Sequence, residues 1–185
     1  MDSNFIELND LPVYDDLLEE LTGLVDLNVS QHCLNAPPGH EDNDQYGVGS
    51  LQYDWPNKKI DEEGNVHVPY RDPILYEKDF TELCNKYKNT KFEIIYRELS
   101  RRYVLGRVRI MISQPASCLT WHQDTEERIH YPIKTQEGCF MVIEDEVKHL
   151  EKNQWYYTKT LNKHTAFNAS KEIRIHLVAN ILGLR

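Results

Sequence analysis

What this chain has little of removes several classes of protein at once. Its four cysteines (Cys33, Cys84, Cys118 and Cys139) lie far apart and form no CxxC pair. Neither a zinc motif nor a disulfide scaffold is indicated, and buried free thiols are expected. No apolar run approaches the roughly 20 residues that a membrane-spanning helix needs. The first residues include Asp2 and Glu7 and no apolar core of signal-peptide length, so the expectation is a cytoplasmic chain away from membranes. Basic residues are outnumbered, 21 Lys and Arg against 30 Asp and Glu, for a formal net charge of −9. Beyond Arg101-Arg102 and the Arg107/Arg109 pair no basic cluster stands out, so nucleic-acid binding is not expected and the negative charge is read as a solubility device. Internal repeats and low-complexity tracts are absent.

What is present reads as globular. Forty per cent of residues are hydrophobic and 28% charged, and 185 residues suit one domain with a substantial core. The 11 tyrosines suit strands and wet clefts, being apolar at one end and hydrogen-bonding at the other. The expected organisation is a single domain over 1–185: a helical, loop-rich flank over 1–105, then a β core over 106–185.

In the flank, Tyr14, Leu17, Leu18 and Leu21 follow helical spacing up to Gly23. The same spacing predicts a second helix through Phe80, Leu83, Cys84 and Tyr87, with Asp79 as N-cap. It predicts a third through Phe92, Ile95, Tyr96, Leu99 and Tyr103, where Glu93–Arg97 and Glu98–Arg102 are i,i+4 pairs. Residues 35–73 are punctuated by Gly and Pro, with a hairpin predicted over Ile60–Val68; a stretch of that length is expected to be a functional loop on the substrate side. From Arg107 onward the pattern alternates. Val108, Ile110 and Ile112 interleave with Arg107, Arg109 and Met111, and Ile129, Tyr131 and Ile133 with Arg128, His130 and Pro132. Short strands at this spacing predict a sandwich or barrel.

The segment that carries chemistry is Trp121-His122-Gln123-Asp124. On extended backbone, residues i and i+2 face one way, so His122 and Asp124 can share one ion. Completed by a distant imidazole, they make the facial triad of non-haem iron(II) sites. His40-Glu41-Asp42 and His149-Leu150-Glu151 fit a similar pattern, but only His122 follows a strongly alternating strand with more β structure after it. The distant imidazole is assigned to His164. Its rival is His130, on the same strand phase as Arg128; His164 is preferred because its strand precedes Arg174. A hairpin centred near Ser170 is expected to set Ala166 opposite Arg174 and His164 opposite His176. That places Arg174 beside a ligand histidine, where its planar fork suits a dicarboxylate tail.

These pieces resemble a known family. RVRIMISQPASCLTWHQD, RIHYPI and LEKNQWYYTKTLNKHTAFNASKEIRIHLV are similar to the aspartyl/asparaginyl β-hydroxylase family of 2-oxoglutarate oxygenases, which includes certain free-proline hydroxylases. The resemblance runs from about Gly106 to Ile181. It implies a double-stranded β-helix (jelly-roll, cupin-like) fold and a dioxygenase that uses Fe(II), 2-oxoglutarate and O2. Such an enzyme hydroxylates a C–H bond of an amino acid or a peptide side chain and releases succinate and CO2. It further implies that Arg174 meets the far carboxylate of 2-oxoglutarate, with Arg128 and His130 at the metal end. Some members carry Gly in place of the carboxylate ligand; here Asp124 completes the set. The alternative is a cupin-like, metal-dependent domain that binds or isomerises a small acid without oxygen.

Overall fold

The computed structural model describes residues 3–185. Alternation dominates its second half, and the strands it predicts form there. A six-stranded antiparallel sheet runs in the order β1 (Phe5–Glu7), β12 (Tyr156–Thr158), β9 (Glu127–Lys134), β14 (Arg174–Leu184), β7 (Tyr103–Ser113) and β2 (Gln31–Cys33). A four-stranded antiparallel sheet runs in the order β11 (Glu146–Lys148), β10 (Cys139–Ile143), β13 (His164–Asn168) and β8 (Ser117–Cys118). Together they form a jelly roll. Two small ladders complete the set: β3 (Asn35–Ala36) with β6 (Glu82–Leu83), and β4 (Lys59–Ile60) with β5 (Val66–His67). The last is the hairpin expected over 60–68, turning at Gly64, whose φ of +86° suits a residue without a Cβ.

The two faces of the large sheet differ. Its apolar phase, Val108, Ile110, Ile112, Ile129, Tyr131, Ile133, Ile175, Leu177 and Ala179, packs in one cluster with the helices α1 (Leu17–Thr22) and α2 (Lys91–Arg102). α2 forms as predicted. Thr90 caps it by accepting from the Phe92 amide, and Phe92, Ile95 and Leu99 are its buried stripe. The opposite phase faces the barrel interior and carries Arg107, Arg109, His130, Arg174, His176 and Asn180, all buried. Polar groups placed there cost free energy unless something pairs with them.

The predicted helix through Phe80–Tyr87 does not form. The chain instead makes 3-10 turns at Glu77–Asp79 and Asn85–Tyr87 with β6 between them. Phe80, Cys84 and Tyr87 are buried as their spacing requires, but the backbone bonds elsewhere. The Cys84 amide donates to the Leu34 carbonyl (2.7 Å), and buried Asn35 donates to the Phe80 carbonyl (2.7 Å) and the Gly106 carbonyl (2.8 Å). Long-range pairing of this segment with β3 displaces local helix. The flank also supplies two strands of the large sheet, β1 and β2. No helix among the described residues is long and apolar enough to cross a membrane.

Candidate metal centre

The β13–β14 hairpin predicted near Ser170 is absent. β13 belongs to the small sheet, where His164 lies opposite Ile143 and Ala166 opposite Met141. β14 belongs to the large sheet, where Arg174 lies opposite Ser113 and His176 opposite Met111. Residues 169–173 carry the chain from one layer to the other. Asn168 holds that crossing by donating to the carbonyls of Ser113, Gln114 and Glu172 at 3.1, 3.2 and 2.7 Å. His164 and Arg174 are therefore buried from opposite layers rather than from one face.

The partner of β13 at this end is His122. The two residues form an isolated antiparallel bridge, with the His122 amide on the His164 carbonyl (3.1 Å) and the reverse bond at 2.8 Å. The Asp124 amide donates to the Thr160 carbonyl (3.0 Å). His122 Nε2 lies 3.9 Å from Asp124 Oδ1, and His164 Nε2 lies 3.2 Å from Asp124 Oδ2. One donor atom from each of the three residues falls within 4.8 Å of the others, the one such group of metal-capable side chains among the described residues. His40 stacks instead on Tyr46, and His149 Nδ1 bonds the Cys139 carbonyl.

The hydrogen bonds fix how these donors face. His122 Nδ1 meets the Thr120 carbonyl (2.7 Å) and His164 Nδ1 the Asn162 carbonyl (2.9 Å). A carbonyl only accepts, so each Nδ1 bears a proton, and in the neutral rings Nε2 presents its lone pair inward. Asp124 Oδ2 is buried with no hydrogen-bond partner. Lone pairs of His164 and Asp124 thus face each other at 3.2 Å, an arrangement that a cation between them relieves. The donor set fits a divalent metal of the iron type. Burial raises the Asp124 carboxyl, but the neighbouring Arg128 guanidinium helps to hold it below its ordinary value. Arg128 Nη2 donates to Asp124 Oδ1 at 2.5 Å, leaving Oδ2 free.

A family model for aspartyl/asparaginyl β-hydroxylases matches residues 19–182. The chain belongs to this family. Its structure is similar to an oxidoreductase of the 2OG-Fe(II) oxygenase family from Burkholderia pseudomallei (TM-score 0.52, 13% identity, 96% of this chain and 84% of that one). It is also similar to a viral collagen prolyl hydroxylase from Paramecium bursaria Chlorella virus-1, solved as a 2OG complex (TM-score 0.45, 10% identity, 97% and 96%). A cupin domain from Bordetella pertussis matches over 43% of this chain and 81% of its own (TM-score 0.37, 16% identity). No curated protein matches the sequence.

The other residues expected at the family's co-substrate site line the same interior. Arg174 is 8% exposed. Its Nη2 donates to Ser113 Oγ (3.1 Å), its Nε has no partner, and among the described residues no carboxylate pairs with it. His130 is not one of the convergent three. It packs edge-on against His176, with the two Nδ1 atoms 3.5 Å apart. Burial, then the nearby arginines, pushes both imidazoles well below the ordinary histidine value. Sequence reading passed over Arg107, Arg109, Asn180 and Glu77. Their signal was the strand phase: once helices cover the apolar face of the large sheet, its arginine-bearing face is the lining of the barrel.

Proposed function

We propose that this chain is a 2-oxoglutarate- and Fe(II)-dependent dioxygenase that hydroxylates a C–H bond of an amino acid or a peptide side chain, with release of succinate and CO2. The observation that carries the reading is the convergence of three donor atoms whose remaining ring nitrogens are already committed to carbonyls. His122, Asp124 and His164 would hold the ion on one side and leave its other positions to ligands. A ferrous ion bound there would supply the oxygen activation that couples 2-oxoglutarate decarboxylation to hydroxylation.

The chain's own residues do the rest. Arg174 offers a buried fork to the far carboxylate of 2-oxoglutarate, and Ser113 fixes the plane of that fork. Arg128 holds Asp124 at Oδ1 and keeps its charge in place. Neutral His130 borders the co-substrate without adding a second positive charge. The arginine-lined interior attracts a dianion and replaces its water shell with fixed donors. Residues 35–73 supply the substrate-side loop.

Succinate release tests this directly. With Fe(II), 2-oxoglutarate and a panel of amino acids and peptides, the protein is expected to form succinate in step with a hydroxylated product. Zinc(II) is expected to abolish both. Turnover of a small acid that persists with zinc and without oxygen would replace the oxygenase reading by the non-oxidative one.

A further inference from the structure

The interior holds more positive charge than the proposed co-substrate chemistry uses. Three guanidiniums sit together at one end of the barrel: Arg107, Arg109 and Arg128. Arg107 is paired with Glu77 (2.7 Å), itself only 9% exposed, and Arg128 is paired with Asp124. Arg109 is 3% exposed and has no acidic partner among the described residues. Its contacts are two weak, neutral ones, Nη2 to Asn180 Oδ1 at 3.2 Å and Nη1 to Gln31 Oε1 at 3.4 Å, and its Nε has none. Burial, then the neighbouring Arg107 and Arg128, lowers its pKa to about 9, the mark of a cation still waiting for an anion.

That anion is not the tail of 2-oxoglutarate. Arg174 and Asn180 both lie on β14, six residues apart, which is roughly 20 Å of extended strand. Arg109 reaches the Asn180 end. The two carboxylates of 2-oxoglutarate are separated by four carbon–carbon bonds of about 1.5 Å each. With its far carboxylate on Arg174, as proposed above, the co-substrate leaves Arg109 without an anion of its own. Gln31, which touches Arg109, also borders a cavity of about 470 Å³ that opens between Gly49, Tyr53, Trp55 and Arg71. Gln31 thus stands between that cavity and the buried Arg109 guanidinium, which does not itself line it.

We propose that Arg109, oriented by Asn180 and Gln31, is the substrate-recognition group of this chain and that it takes a carboxylate. The substrate is then an amino acid held by its α-carboxylate, or a peptide held by an acidic side chain. The chemistry of the reaction rests on the oxygenase reading above; the charge of the ligand rests on the arginine alone. Planar, bidentate donors select carboxylates over their isosteric amides, because the amide leaves the buried charge unpaired.

The test is calorimetric titration of the full chain, metal-free and as the anaerobic Fe(II)–2-oxoglutarate complex. The probes are the free amino acids, their α-amides, and blocked peptides containing Asp or Glu or their amide counterparts Asn or Gln. At least one carboxylate probe is expected to bind tenfold or more tighter than its amide. Whether that probe is a free amino acid or a blocked peptide tells which carboxylate is read. Arg109→Gln is expected to lose a hundred-fold in affinity for that probe, and Arg109→Lys to recover part of it. The Kd for 2-oxoglutarate should be unchanged in both. Arg109→Met, which removes a buried unpaired charge, should keep or raise Tm and bind no better than Arg109→Gln, so a folding failure of one variant leaves the other to decide. Equal probe affinity in wild type and Arg109→Gln overturns the inference, as does binding of neutral probes alone or joint loss of 2-oxoglutarate in the Arg109 variants. If wild type fails to bind 2-oxoglutarate, the oxygenase reading fails, and the carboxylate-against-amide comparison on the metal-free chain still decides the role of Arg109.

Discussion

At the scale of single residues, a histidine's outer nitrogen decides what its inner one does. Thr120 and Asn162 contribute only carbonyls, yet those carbonyls aim His122 and His164 with Nε2 inward. Replacing His122 or Asp124 by Ala is expected to lower Fe(II) affinity by more than the roughly 10- to 100-fold that loss of a supporting contact costs. His40→Ala should leave the affinity intact, since His40 stacks on Tyr46 away from the cluster. Anaerobic Fe(II) titration of the three variants checks this, and iron loss confined to His40→Ala would reverse the assignment. Arg174 is tested at the same scale. Arg174→Gln would leave the far carboxylate of 2-oxoglutarate buried and unpaired, a cost of about 3–5 kcal/mol, or a hundred-fold or more in Kd. Arg174→Lys keeps the charge but not the fork and should recover part of the binding. Fe(II) affinity without 2-oxoglutarate should hardly move in either variant.

At the scale of elements, one buried ion pair fastens the irregular flank to the barrel. Arg107 on β7 binds Glu77 through Nε (2.9 Å) and Nη2 (2.7 Å), while its Nη1 donates to the carbonyls of Gly47 (2.6 Å) and Gly49 (2.8 Å). Burial raises the Glu77 carboxyl, but Arg107 outweighs it and holds it below the ordinary value. Cutting away the acid strands the guanidinium, so Glu77→Ala is expected to destabilise the fold by about 3–5 kcal/mol. Urea denaturation reads that loss. Limited proteolysis should cut within 47–57 sooner in this variant than in wild type, because the loop loses the frame that orients Arg107. Unchanged cleavage there would show that the loop is held by other contacts.

At the scale of the whole molecule, two buried neutral imidazoles make the fold sensitive to acid. His130 and His176 sit well below the ordinary value of 6.5 when folded. A group whose folded pKa is depressed leaves stability intact above its unfolded pKa, and stability falls once the unfolded chain takes up protons the native one refuses. The loss therefore starts as pH drops below 6.5, at up to about 1.4 kcal/mol per pH unit for each histidine. Urea melts between pH 7 and pH 5 should show this slope in the metal-free protein, and His176→Leu should reduce it by about half. A flat profile would mean that the unfolded-state protonation is matched in the native state. In stronger acid the carboxylates join in. Burial raises the Asp44 carboxyl, but His32 and Lys86 outweigh it and lower it from 3.8 to about 2, so its contribution starts to fall as the pH drops below the ordinary value and is gone by about 2.

Some of this was written locally in the sequence. Alternation of Val108, Ile110 and Ile112 with arginines required a strand with one apolar face, and the Phe92–Leu99 stripe required an amphipathic helix. The i,i+2 spacing set His122 and Asp124 on one side, since strand geometry needs no partner to do that. Other features depended on which strands met. The Phe80–Tyr87 spacing required burial but did not require a helix, because the β3 backbone competed for its hydrogen bonds. Neighbours in sequence, β13 and β14, went to different layers, so the 41 residues between His122 and His164 were closed by a long-range bridge that no local pattern encodes. The charge state of the interior was decided in the same way. Arg107, Arg109 and Arg128 look alike along their strands, and only sheet closure gave two of them an acid and left the third without one. Backbone geometry is set by nearest neighbours, whereas electrostatic pairing is set by distance in space, and distance in space is what folding supplies.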